Sequence, residues 1–212
     1  MSNLNCLERR AYSFDINAEE NEKGRRITGR PIVYANRTNL GLFDEIIEPG
    51  ALNEADLRDV RFLVNHDTRK IPLARSRRNN GNSTMKLSPN DNGLDIDVLL
   101  DTDNNSEARA LYSAVERGDI TGMSFMFSVD DEEWENLESD HPTRHIRSIG
   151  SVVEVSAVTF PAYKSTEINA RSAETLESAR AAVETAKQQR ATSVETEELA
   201  LAKAKYEFKS KF

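Results

Sequence analysis

The chain of 212 residues is 38% hydrophobic and contains no apolar run near the ~20 residues a membrane span needs, which excludes a protein with transmembrane helices. A net charge of −8 and a pI near 5.1 argue against nucleic-acid binding, which depends on clustered Lys and Arg, and point to proteins as partners. The single Cys6 cannot make an internal disulfide and Met1 to Arg10 lacks the apolar core of a secretory signal, so a reducing cytoplasm is expected.

Residues 1–171 read as one β-rich domain. Short apolar runs, consistent with strands, cover Arg9 to Ile16, Arg26 to Tyr34, Phe43 to Ile47, Val60 to Asn65 and Thr84 to Leu87. Leu94, Ile96, Val98 and Leu100 then alternate with polar or apolar neighbours at a period of two, which aims one side of a strand at a core. Ser106 can cap a helix whose apolar stripe is Ala108, Leu111, Tyr112 and Val115, ending before Gly118. Further strands are predicted over Met123 to Val129, His145 to Ile149 and Val152 to Phe160, with Pro49-Gly50, Asn80-Gly81 and Asp91-Asn92-Gly93 as turns. Many short strands with turn signals predict a β-barrel or sandwich. Between Asp130 and Asp140 seven acids surround Trp134 and Leu137. So many like charges predict a solvated loop between strands, or else a lid or docking site for a basic partner.

Residues 172–212 differ in kind. All 9 Gly and 6 Pro precede Arg171, and the tail is rich in Ala, Glu, Gln, Lys and Arg, a helix-favouring composition. It holds 7 acidic and 7 basic residues, so the whole −8 belongs to the first part. Val194, Leu201 and Phe208 are spaced by seven, as are Glu198, Lys205 and Phe212, and Leu176 and Val183 keep that spacing in another frame. The thin seam predicts a largely solvated helix lying on the domain; the sharper reading is a coiled-coil partner helix.

Three histidines keep the search for chemistry short. His66 ends the run Phe62-Leu63-Val64-Asn65, where a buried strand emerges into a loop. Ser124 lies in Gly122-Met123-Ser124-Phe125, where Gly122 permits close backbone approach, and Glu154 lies in Val152-Val153-Glu154-Val155, an apolar setting in which a lone carboxylate is costly. Serine needs a base to take its proton, imidazole suits the task near neutrality, and an acid can orient the ring. Any chain of this length holds these three residue types, so composition alone decides little. His66 could equally be a satisfied core histidine, and Ser124 a small packing residue. Met126 excludes the Gly-x-Ser-x-Gly elbow of the α/β-hydrolases. Asp67 and His145 are rivals to Glu154; in extended backbone Asp67 would point away from a ring that His66 turns toward Ser124. His141 and His145 flank Pro142, which breaks the helix that would align them, so no metal or other cofactor is expected.

Four linked segments carry a resemblance to the prohead proteases of tailed phages whose capsids follow the HK97 architecture. They are Glu48-Pro49-Gly50-Ala51-Leu52; Leu63-Val64-Asn65-His66-Asp67 with Ile71-Pro72-Leu73-Ala74-Arg75; Arg117-Gly118-Asp119-Ile120-Thr121-Gly122-Met123-Ser124-Phe125; and Glu154-Val155-Ser156-Ala157-Val158-Thr159-Phe160-Pro161-Ala162-Tyr163. The resemblance spans roughly Arg9 to Ala170. It implies His66 as general base, Ser124 as nucleophile and Glu154 as orienting acid. The family is similar in fold to herpesvirus assemblins, whose third triad member is a histidine at the place of Glu154. This similarity implies a mainly β fold with flanking helices and an antiparallel barrel in 1–171, to which the composition of 172–212 adds a long C-terminal helix. Assemblins supply an oxyanion donor from the loop after the third triad strand; here Pro161 has no N–H, which leaves Ala162 as the candidate.

The function implied is a serine endopeptidase of the prohead interior, in the host cytoplasm. Its expected partners are the major capsid protein precursor with its scaffold segment and other prohead proteins, with no nucleic acid and no membrane. A homodimer is one expectation, since assemblins work as dimers, and self-cleavage within the tail is another. The competing reading is a non-catalytic assembly or scaffolding factor with a protease-like barrel, and a third is a hydrolase of small esters.

Overall fold

The computed structural model describes residues 7–12, 16–159 and 173–209. They form two sheets, an internal helix and a C-terminal helix. The strands are β1 (Glu8–Tyr12), β2 (Ile16–Asn21), β3 (Gly24–Val33), β4 (Thr38–Asn39), β5 (Asp44–Ile47), β6 (Arg61–Val64), β7 (Ala74–Arg75), β8 (Met85–Asn90), β9 (Gly93–Leu99), β10 (Gly122–Glu135) and β11 (Thr143–Val158); the helices are α1 (Ser106–Glu116) and α2 (Ala173–Lys209). A mainly β protein with two helices is thus the architecture. Among the described residues neither sheet closes on itself.

The smaller sheet has the order β2-β3-β9-β8 and is antiparallel throughout. Its alternation is the one visible in the sequence. Leu94, Ile96 and Val98 are buried, while Asp95 and Asp97 face outward to the guanidinium groups of Arg30 (2.6 Å) and Arg26 (2.6 Å) on β3. Pro89, which lacks a donor, lies on β8 at the edge. Gly93 has φ of 139°, and a Cβ there would stand 1.9 Å from the carbonyl oxygen of Ile32, so only glycine fits this crossing.

The larger sheet runs β1-β10-β11-β5-β4, with β6 paired to β11 and β7 to β6. It is mixed, not uniformly antiparallel: β11 accepts β5 in parallel along its first part and β6 in parallel along its last. The core lies between the sheets, with Ile27, Met85, Ile96 and Val98 on one side and Phe62, Met123, Phe125, Phe127, Val155 and Ala157 on the other. Helix α1 adds its stripe of Ala108, Leu111, Tyr112 and Val115 to this core. The cap of α1 is Asn105, not Ser106: its side chain accepts from the backbone N–H of Glu107 (3.0 Å) and Ala108 (3.3 Å).

Three further sequence expectations change. The run Arg9 to Ile16 is two strands in different sheets, since β1 pairs with β10 and β2 with β3. The runs His145 to Ile149 and Val152 to Phe160 belong to one strand, β11, in which extra residues are absorbed by register shifts instead of a turn; Phe160 lies outside the described residues. The acidic segment is half strand, because β10 continues to Glu135. There Trp134 packs edge-on to Phe43 at 4.9 Å, Leu137 is buried, and Glu132 and Glu133 pair with Arg144 and Arg147 across the hairpin. Cross-strand cations and one aromatic anchor offset the like-charge repulsion that suggested a loop.

Helix α2 touches the body by a thin stripe. Val183 packs on the small cluster of Leu40, Phe43 and Trp134, Ala186 is buried, and Arg190 lies 3.5 Å from Glu138. Val194 and Leu199 are exposed. Among the described residues no helix is long and apolar enough to cross a membrane.

Candidate active site

Two local irregularities build the site. The first follows β6, where Asn65 and His66 both adopt left-handed backbone (φ 51° and 59°), a region that Asn and His enter more readily than most L-residues. The turn is pinned to β11: Asn65 donates its N–H to Ala157 O (2.9 Å), and its side chain exchanges hydrogen bonds with Thr159 (both 3.0 Å). It brings the N–H of His66 to Ser156 Oγ (3.1 Å) and the ring Nδ1 to Glu154 Oε1 (2.5 Å).

The second irregularity is in β11. Phe127 of β10 lies opposite Val152 and Met126 lies opposite Glu154, so Val153 is an extra residue with no partner on β10. Such a bulge re-aims the side chains that follow it. Val152, Val155 and Ala157 therefore reach the core, while Glu154 and Ser156 share the opposite face. Glu154 is only 1% exposed, and a carboxylate so buried needs hydrogen bonds. It has the His66 ring on one oxygen and the Ser156 hydroxyl, donating at 2.5 Å, on the other. This contact suits the ring tautomer that donates from Nδ1 to Glu154 and keeps the Nε2 lone pair.

Ser124 stands directly opposite Ser156 on β10 and opposite Ala11 on β1. Directly opposed residues share a face, with Cβ atoms roughly 5 Å apart, so Ser124 belongs to the face of Glu154 and Ser156. Its side chain is fully buried and its hydroxyl donates to the carbonyl oxygen of Arg10 (2.6 Å). The structure thus joins His66 to Glu154 directly and sets Ser124 one strand away. Among the described residues no hydrogen bond joins Ser124 to His66.

The rivals lie elsewhere. Asp67 turns to Arg69, accepting from its N–H (3.2 Å) and Nε (3.1 Å); the reason is the left-handed turn at His66 and not the extended backbone that the sequence suggested. His145 is on β11 nine residues before Glu154, roughly 30 Å along the strand at ~3.3 Å per residue, and its Nδ1 faces Glu48 Oε1 at 2.6 Å. Ala162 lies outside the described residues. Among those residues no group of His, Cys, Asp and Glu is arranged to hold a metal.

Two residues escaped the sequence reading. Ser156 holds both Glu154 and the His66 backbone; its i+2 spacing from Glu154 on a strand was a usable signal. Arg10 is fully buried and bidentate to Glu45 (2.5 and 2.6 Å), and it also donates to Glu8 (2.5 Å). Arg144 completes the network with donations to Glu8 (2.7 and 2.8 Å), Glu45 (3.0 Å) and Glu132 (2.7 Å). Burial pushes the Glu8 carboxyl up, but the charges and hydrogen bonds of Arg10 and Arg144 outweigh it and hold it down at about 2. Burial likewise disfavours the charged Arg144 guanidinium, yet the Glu8, Glu45 and Glu132 carboxylates raise its affinity for the proton above the ordinary value. The network ties β1 to β5, β10 and β11, and so fixes the carbonyl that holds Ser124. No run of alternating apolar residues announced it.

An imidazole is thus held at one nitrogen by a buried carboxylate, on the same sheet face as a serine one strand away. The family model of caudovirus prohead serine proteases matches residues 12–180, and the chain belongs to this family. It is 31% identical over 122 residues to the prohead protease of Enterobacteria phage HK97, covering 56% of this chain and 48% of that protein. The chain therefore spans about half the length of the curated relative it matches. No solved structure matches it.

Proposed function

We propose that the chain is a serine endopeptidase of the phage prohead interior, in the host cytoplasm, that removes the scaffold segment of the major capsid protein precursor and cleaves itself. The observation that carries this reading is the 2.5 Å contact of His66 Nδ1 with Glu154 on the face that Ser124 shares. In the proposed sequence Ser124 rotates about χ1 from the Arg10 carbonyl toward His66. His66 Nε2 takes the hydroxyl proton as Oγ attacks the peptide carbonyl, and Glu154 steadies the imidazolium. Collapse of the tetrahedral intermediate breaks the C–N bond and the proton passes from Nε2 to the leaving amine. Water, activated by the same imidazole, then hydrolyses the acyl-enzyme and returns Ser124. The Ala162 N–H is the candidate oxyanion donor. On this reading the two sheets correspond to the assemblin-like barrel that the resemblance implies, residues 1–171 form the protease domain, and the tail over 172–212 is the self-cleaved part. Other prohead proteins and a second copy of the chain are further candidate partners.

Incubation with capsid precursor tests the reading: wild type should release scaffold segments, whereas Ser124→Ala should leave precursors intact while shells still assemble. The burial of Ser124 and its bond to Arg10 favour a second reading, a non-catalytic assembly factor on a protease-like frame. On that reading Ser124→Ala changes nothing. For the tail, equal intact masses of active protein and Ser124→Ala would refute self-cleavage.

A further inference from the structure

We infer that an arginine-lined cleft beside Glu154 binds an acidic stretch of the polypeptide substrate. The inference rests on the endopeptidase reading for what the peptide is, though its binding half is testable without catalysis. The cleft, about 780 Å³ in volume, is lined by Arg58, Arg61, Arg75, Arg77 and Arg78 together with two aspartates. Asp56 is occupied by Arg58 (2.9 and 2.5 Å). Asp59 is occupied by Arg75 (2.5 and 2.6 Å) and lies 3.4 Å from Arg61. Arg77 donates only to the Asn82 carbonyl (2.6 Å), and the Arg78 guanidinium makes no hydrogen bond or ion pair among the described residues. Five arginines against two aspartates leave three positive charges in excess, in a chain whose net charge is −8.

The backbone that carries Arg77 and Arg78 is fixed before any ligand arrives. Arg77, Arg78 and Asn79 all adopt left-handed backbone (φ 43°, 61° and 50°), which disfavours ordinary L side chains and persists where surrounding contacts over-determine it. Here Asn79 clasps the backbone of Leu87 through both side-chain atoms (2.9 and 3.1 Å), and Arg78 N–H donates to Arg58 O (2.7 Å).

Register puts the cleft on the face of the candidate site. Arg61 lies directly opposite Glu154 on β11 and opposite Arg75 on β7, while Leu63 lies opposite Ser156. Two strand spacings of ~4.8 Å and two residues of ~3.3 Å separate Arg61 from Ser124, a span of roughly 12 Å or about four extended residues. A substrate strand reaching Ser124 would therefore present carboxylates to the cleft about four residues from the bond to be cut. Guanidinium forks recognise carboxylates in bidentate fashion. Nucleic acid fits less well, because no aromatic side chain lines the cleft to stack a base.

The test is binding to the uncleaving Ser124→Ala chain, read by fluorescence anisotropy at low salt with a short labelled peptide carrying a run of Asp and Glu and with its Asn/Gln isostere. The acidic peptide should bind at least about tenfold more tightly than the isostere. Arg77→Gln/Arg78→Gln should abolish that preference, and Arg78→Gln alone, which breaks no bond among the described residues, should weaken it about threefold or more. Equal binding of the two peptides, or unchanged preference in both variants, overturns the proposal. So does displacement by duplex DNA at lower concentration than by unlabelled acidic peptide, which would make this a nucleic-acid site. If the preference is found but wild type cuts no peptide, the endopeptidase reading falls and the cleft stands.

Discussion

Arg144→Met probes the buried ionic network while keeping the aliphatic bulk of the side chain. It removes the bidentate partner of Glu8 (2.7 and 2.8 Å) and the contacts to Glu45 (3.0 Å) and Glu132 (2.7 Å). Glu8 and Glu45, both buried, are left to share Arg10. Breaking a buried pair from one side typically costs about 3–5 kcal/mol. Glu8 gives the same order of magnitude: Arg10 and Arg144 together hold its carboxyl down from 4.5 to about 2 against the opposing effect of burial, which corresponds to about 3 kcal/mol shared between the two guanidinium groups. In the wild type this stabilisation is present above pH 4.5 and is lost as pH falls toward 2, because the folded carboxyl titrates below the unfolded one. In the variant, burial is less opposed and drives the Glu8 carboxyl upward, so the folded state no longer loses this stability in acid. The gap between the proteins should be largest at pH 7 and narrow below about pH 4.5. Urea denaturation at pH 7 and pH 3.5, followed by far-UV circular dichroism, measures it. A gap below about 1 kcal/mol at pH 7, or one that widens in acid, refutes the reasoning.

Four smaller perturbations follow from single contacts. Glu154→Gln presents the His66 ring with an amide and should lower kcat on capsid precursor by about a thousandfold or more, checked by single-turnover cleavage. Ser156→Ala removes one donor to Glu154 and the acceptor of the His66 N–H; a charged hydrogen bond of about 1.5–3 kcal/mol predicts a ten- to hundredfold fall in kcat with KM little changed. Gly93→Ala forces a Cβ against the Ile32 carbonyl and should cost at least about 3 kcal/mol of stability, or abolish soluble expression. Asn105→Ala removes the cap of α1 and should cost about 1 kcal/mol in thermal unfolding, with the fold unchanged.

The legibility of the fold tracked how local its causes were. Leu94 to Leu100 and the stripe from Ala108 to Val115 were readable because each burial pattern repeats within one element. The division of Arg9 to Ile16 between two sheets was not, since β1 pairs with β10 more than a hundred residues away while β2 turns to the adjacent β3. The acidic hairpin was misread because Arg144 and Arg147, which offset its charge, come from the next strand. His66, Ser124 and Glu154 could be proposed from motif context. That His66 meets Glu154 through a left-handed turn, and that the Ser124 hydroxyl rests on a main-chain carbonyl, are matters of backbone conformation that residue types do not record.

The unpaired residue Val153 has a consequence for how this protein tolerates change. Strand faces obey parity, and Val153 is the surplus residue, so deleting it would leave Val152, Val155 and Ala157 on the core face and Glu154 and Ser156 on the other in plain alternation, whereas losing one residue after Glu154 would transpose every position that follows in β11. Interior packing and polar apparatus are thus coupled by a single step in the count. Length changes should be tolerated at the hairpin tip over 136–142, and loss of one residue at Val153, but not between Glu154 and Val158, where one residue gained or lost does more harm than most substitutions.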